Sequence, residues 1–129
     1  MREVLLDTHA FLWFAFGDSR LSKRAEKTIA NDDVRKYLST VSIWEVAIKE
    51  QIGRLRLGMT VENFIREYIV ATEIEIISLE IDHILKCSQL PLIHRDPFDR
   101  MLIAQALKSE ISIVTADKQF KKYGLKQIW

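Results

Sequence analysis

The sequence predicts an α/β protein: a short, mostly parallel open sheet flanked by helices on both faces. Three observations lead there. Short apolar runs alternate with amphipathic segments along the whole chain. Strand-like runs are separated by helix-like ones, and such crossovers are what parallel strands require. Third, Gln105 is the only polar residue between Met101 and Leu107, so the helix from Pro97 to Lys108 must be sandwiched rather than draped over a surface.

The elements follow in order. VLL (4–6) reads as a short strand and leads into a helix through AFLWFAF (10–16). SKRAEKTIAN (22–31) is a polar surface helix capped by Ser22, and YLST (37–40) a weaker strand. SIWEVAIKEQIG (42–53) is a helix that Gly53 can end. TVENFIREYIVAT (60–72) places Val61, Phe64, Ile65, Tyr68 and Ile69 on one stripe. EIEIISL (73–79), rich in isoleucine, is the strongest strand candidate. IDHILKCS (81–88) is a short helix, and in HRDPFDRMLIAQAL (94–107) Asp96 reads as cap and Pro97 as first helical residue. ISIVT (111–115) is a further strand, KQFKKY a short helical turn and LKQIW (125–129) the last strand.

With 129 residues, 48% of them hydrophobic, the chain is expected to form one domain over residues 1–129. A formal net charge of +1 announces no nucleic-acid partner by bulk basicity. The single cysteine, Cys87, excludes an internal disulfide and suits a reducing cytosol. His9, His83, His94 and Cys87 lack zinc-ligand spacing. Arg2, Glu3 and Asp7 precede the first apolar run, the wrong order for a signal peptide, and AFLWFAF is too short to span a bilayer. A soluble, cytoplasmic protein without membrane attachment is expected.

Four acids stand out. Asp7 closes the first strand, Glu45 follows the second, and Asp117 follows ISIVT. A helix cap explains each one singly, with Ser42 to Glu45 forming a capping-box pattern. As a set they say more, because the carboxyl ends of parallel strands share one edge, where ligands bind. Carboxylates gathered there repel one another unless a divalent cation joins them. Oxygen ligands with no His or Cys nearby point to Mg²⁺ or Mn²⁺. Asp99 follows no strand, so strand logic does not place it with the others.

LLDTHAFLWF, SIWEVAIKEQIGRL, RDPFDRMLIAQA and IVTADKQF, in this order and spacing, resemble the PIN domain, and more narrowly the VapC-type ribonuclease toxins of bacterial toxin–antitoxin pairs. The resemblance runs from Leu5 to Trp129 and implies a PIN-like three-layer fold. It maps the family's acidic quartet onto Asp7, Glu45, Asp99 and Asp117, leaving Asp96 as the cap or an outer support. It implies RNA phosphodiester hydrolysis with Mg²⁺ or Mn²⁺, Asp7 and Asp99 as direct ligands, and Glu45 as ligand or water-orienting group. Asp117 would complete a second metal position or support the first. A homodimer and a small antitoxin protein that blocks the site are the implied partners.

Thr8 and Thr115 are candidate supporting hydroxyls, and Arg100 is the basic residue singled out for substrate phosphate. Lys49, Arg54, Arg56, Arg95, Lys118, Lys121 and Lys122 are either phosphate contacts or a solvated charged face. His9 is a candidate acid or base, although a helix-start role explains it as well. Trp13, Phe14 and Phe16 serve base stacking, the core or a partner contact. A haloacid dehalogenase-type phosphatase would want an Asp where His9 stands, and a response receiver an acidic pair before the first helix. The remaining alternatives are an inactive PIN-fold module that binds RNA or protein, and a DNA-specific nuclease.

Overall fold

A computed structural model describes residues 2–129. Five strands, β1 (Arg2–Leu6), β2 (Val34–Ser39), β3 (Glu75–Ile77), β4 (Ser112–Val114) and β5 (Gln127–Ile128), form one sheet in the order β3-β2-β1-β4-β5. Every pairing is parallel, with Leu5 opposite Tyr37 on one side and Ile113 on the other. The chain builds outward from β1 to β3, then returns to β1's other side for β4. That reversal is the switch point where open sheets present their binding crevice.

Both faces are covered. Against one lie α1 (Thr8–Phe16), α2 (Lys23–Ala30) and α4 (Val61–Ile65), which continues as a π-helical turn Arg66–Val70. Val4, Leu6, Val34, Leu38 and Val114 meet Phe11, Ile29, Phe64 and Ile69 there. On the other face α6 (Pro97–Ser109) packs Leu102, Ile103 and Ala106 against Leu5 and Ile113, with Phe120 from the 3-10 turn Lys118–Tyr123. The alternation Val4/Leu5/Leu6 thus divides between two cores, as strand geometry dictates. α3 (Thr40–Gln51) sends Val46 into the first core and Val41 into the second, so it bridges both layers. α5 (Ile81–Ser88) lies on α6 and contributes no buried residue.

Three expectations need correction. α3 starts at Thr40 under a Ser39 cap, so Ser42 and Glu45 sit inside the helix and form no capping box. The isoleucine-rich EIEIISL contributes only the three-residue edge strand β3, largely exposed. Its propensity is high, but an edge strand has a single neighbour, here β2, and gains little burial. YLS (37–39) is the end of a longer strand that begins at Val34, and Thr40 already opens α3.

Candidate metal centre

Each acid is delivered by the end of an element. Asp7 directly follows β1, its amide donating to the Val114 carbonyl at 3.1 Å. Its carboxylate caps α1, accepting from the Ala10 amide at 2.7 Å and from the Thr115 hydroxyl. Asp7 is buried, and burial pushes its carboxyl above the usual range, opposed by those two hydrogen bonds and reinforced by Asp117. Thr115 also accepts from the Asp117 amide at 3.1 Å, so one hydroxyl ties the ends of β1 and β4 together.

Glu45 projects from the bridging helix α3 and is 2% exposed. The Thr8 hydroxyl donates to its Oε1 at 2.8 Å, and Lys49 Nζ donates to Oε2 at 2.7 Å. Thr8 is also hydrogen-bonded to Ser42 Oγ at 2.9 Å. Asp96 caps α6 through bonds from the Phe98 and Asp99 amides at 2.8 and 3.2 Å, as the sequence suggested. That leaves the Asp99 carboxylate free of capping duty. It is pushed up to about 8, first by burial, then by the charges of Asp96, Asp7, Glu45 and Asp117. Apart from the cap Asp96, the acids that perturb Asp99 are those expected at the strand ends. The tertiary fold therefore supplies the proximity that strand logic could not.

Asp117 caps the 3-10 turn, accepting from the Gln119 amide at 2.9 Å. Its other oxygen meets a residue that the sequence did not single out: His94 Nε2, at 2.8 Å. The same nitrogen is 3.2 Å from Asp99 Oδ2. Expecting no histidine near the acids was thus wrong. His94 lies in an irregular loop, where no periodicity announces direction, and its only cue was adjacency to RDPFDR. Its Nδ1 accepts from the Asp96 amide at 3.2 Å, which assigns the ring proton to Nε2. His94 therefore donates to the acids and offers them no lone pair. Ligand atoms of His94, Asp99 and Asp117 all lie within 4.8 Å of one another. With His94 a donor, the set able to hold a divalent metal is all oxygen.

The other candidates divide. Arg100 turns away from the acids: its guanidinium donates to the carbonyls of Pro91 at 2.9 Å and Cys87 at 3.1 Å. Tyr123 reinforces the same loop, its hydroxyl accepting from the His94 amide at 2.7 Å and donating to Pro91 at 2.9 Å. Arg100 is thus a strut for the loop that carries His94, a role its five donors suit. Arg54, Arg56, Arg95, Lys118, Lys121 and Lys122 are exposed. His9 is exposed and tilts over Trp13 with ring centroids 5.7 Å apart. Trp13 also meets Trp129 at 5.8 Å and the Arg20 guanidinium at 5.0 Å. His9, Trp13, Phe16, Lys49 and Arg54 line an open groove of about 410 Å³ that reaches Thr8. Phe14 lies on the far side of α1, against the first core. No helix among the described residues is long and apolar enough to cross a membrane.

A family model described as PIN domain matches residues 4–126. A curated protein, Ribonuclease VapC22 of Mycobacterium tuberculosis, is 25% identical over 124 residues, covering 95% of this chain and 93% of its own. Among solved structures, VapBC2 from Rickettsia felis, bound to a DNA fragment from its promoter, superposes with a TM-score of 0.70 at 12% identity, over 98% of this chain and 99% of that one. VapC20 of Mycobacterium tuberculosis, a sarcin-ricin loop cleaving toxin, gives 0.69 at 16% identity, over 95% of each chain. At these identities the two structures establish a shared fold.

Proposed function

The chain belongs to the PIN domain family, and we propose that it is a Mg²⁺- or Mn²⁺-dependent endoribonuclease, the toxin of a toxin–antitoxin pair. The observation that carries this is the gathering of acids from four separate segments. The Thr115 hydroxyl joins Asp7 to the Asp117 amide, and His94 Nε2 lies 2.8 Å from Asp117 and 3.2 Å from Asp99. Burial and Asp96 raise Asp99, and repulsion from Asp7, Glu45 and Asp117 adds to them. Such repulsion is sustained in a fold only where something offsets it, and an all-oxygen set suits a hard cation. The ribonuclease relative and the toxin–antitoxin neighbours support the choice of RNA and of the pair.

Asp7 and Asp99 would hold the cation directly, with Glu45 and Asp117 beside them. Bound there, a divalent ion supplies charge neutralisation at the phosphoryl oxygens and a more acidic water. Hydrolysis adds one water across a P–O bond: the water oxygen bonds to phosphorus and the departing ribose oxygen takes up a proton. Thr115 fixes the Asp7 carboxylate and the Asp117 backbone, and Thr8 with Lys49 fixes both oxygens of Glu45. His94 holds Asp117 and Asp99 in place while contributing no negative charge.

Residues 1–129 act as one PIN domain in the cytoplasm. The exposed Ile81, Ile84 and Leu85 of α5 provide an apolar face for pairing two copies. An antitoxin segment would lie in the groove along α1, which reaches Thr8 and Lys49, the two partners of Glu45. The test is cleavage of labelled RNA by the purified chain. Mg²⁺ or Mn²⁺ should support cutting and EDTA abolish it; cutting that persists in EDTA, or metal binding without any cutting of RNA, would sink the proposal.

A further inference from the structure

Away from the acidic edge, four cations surround one depression. Arg2 at the start of β1 and Lys23, Arg24 and Lys27 of α2 line an open hollow of about 420 Å³, together with Thr28 and Asn31. Three exposed arginines elsewhere are paired, Arg20 with Asp18 at 2.7 Å, Arg35 with Glu75 at 2.9 Å and Arg66 with Glu62 at 2.7 Å, while the exposed Arg54, Arg56 and Arg95 stand outside the hollow. Among the described residues, none of the four around the hollow has a carboxylate oxygen within 4.0 Å. The buried Lys36, outside the hollow, donates through Nζ to the carbonyl of Asn31 at 3.1 Å. In a chain whose formal net charge is only +1, the hollow is a local concentration of positive charge. Glu26 is the one acid on the exposed side of α2, and it lines the neighbouring pocket with Lys23 instead.

We infer that this hollow is an exosite for the sugar–phosphate backbone of structured RNA, distant from the scissile bond. It rests on the ribonuclease reading of the acidic edge. Position sets what can reach both places. Arg2 begins the strand whose far end is followed by Asp7, so the two are about 17 Å apart at ~3.3 Å per residue. A folded RNA bridges the gap and a trinucleotide does not. The exosite therefore favours structured substrates without reading sequence, since phosphate contacts position a nucleic acid and do not specify it.

The test neutralises the hollow in two independent ways: Lys23→Gln/Arg24→Gln/Lys27→Gln on α2, and Arg2→Gln on β1. Affinity for a long RNA hairpin is measured against salt in EDTA, and cleavage of the hairpin and of a trinucleotide in Mn²⁺. The triple variant should lower the slope of log affinity against log salt by about 2 to 3, roughly 0.7–0.9 for each phosphate it no longer neutralises. Its hairpin KM should rise about tenfold or more, with kcat and trinucleotide cleavage unchanged, and Arg2→Gln should act the same way more weakly. A wild-type salt slope in both variants, with or without loss of a protein partner, overturns the exosite. So does an equal loss on hairpin and trinucleotide. Failure of the ribonuclease reading would show separately, as no cleavage of either RNA by the unmodified chain.

Discussion

Asp99→Asn should make the metal-free protein more stable while destroying its ability to be stabilised by metal. The sign follows from linkage. Asp99 is raised from 3.8 to about 8, so the folded state holds its proton more tightly than the unfolded state. The stability this gives is complete below the unfolded value and is lost progressively as pH rises through the folded value. Asparagine does not titrate, so the variant gains nothing near pH 3 and gains increasingly from pH 4 to 8. The side chain is 23% exposed and the neighbouring acids can share the proton, which reduces the full linkage energy to about 2 kcal/mol near pH 7.5. For a chain of 129 residues that is a rise in Tm of about 5–10 °C. The assay is thermal unfolding in EDTA across pH, repeated with Mn²⁺. Wild-type protein should gain Tm with Mn²⁺ and the variant should not. A variant less stable than wild type at pH 7.5 would mean that Asp99 supports the helix start, and the reasoning would be refuted.

Thr115→Val removes the donor to buried Asp7 and the acceptor of the Asp117 amide, and should cost about 1–3 kcal/mol; chemical denaturation reads this, and a neutral result would show that the hydroxyl ties nothing together. Arg100→Met should speed hydrogen exchange at the Ile93 and His94 amides and lower stability by about 1–3 kcal/mol, whereas a phosphate-binding Arg100 would raise KM with stability intact. His94→Phe keeps a ring against Phe120, whose centroid lies 5.7 Å away, but removes the donor. Calorimetric Mn²⁺ affinity should then fall by about 10–100-fold, as for a residue that holds the ligating acids in place. An unchanged affinity would show that His94 orients nothing, and a loss far beyond that range would make it a ligand.

Most of the layered architecture was readable because it rests on periodicity. The stripe of Phe64 and Ile69, the apolar α6 and the Asp96–Pro97 helix start each announce themselves locally. What was not readable depends on contacts distant in sequence. EIEIISL looked like the best strand because propensity is local, yet its place at the sheet edge is decided by topology. Asp7, Glu45 and Asp117 could be gathered by the rule that parallel strands end together. Asp99 could not, since its place depends on how α6 docks beside β1. His94 and Arg100 were misjudged for a related reason. In an irregular loop residue type suggests chemistry but not direction, and here one ring points in at the acids while the neighbouring guanidinium points back at carbonyls.

The most direct measurement is RNA cleavage in Mn²⁺ by Asp99→Asn beside Asp96→Asn, two substitutions of one charge each in the same helix turn. Asp96→Asn keeps a good capping side chain and should cut at close to the wild-type rate. Asp99→Asn should be folded, more heat-resistant without metal, and slower by a factor of about 100 or more, in line with losing a direct contributor to the transition state. Equal cutting by both variants, or loss confined to Asp96→Asn, would contradict the assignment of the acidic cluster as the catalytic metal centre.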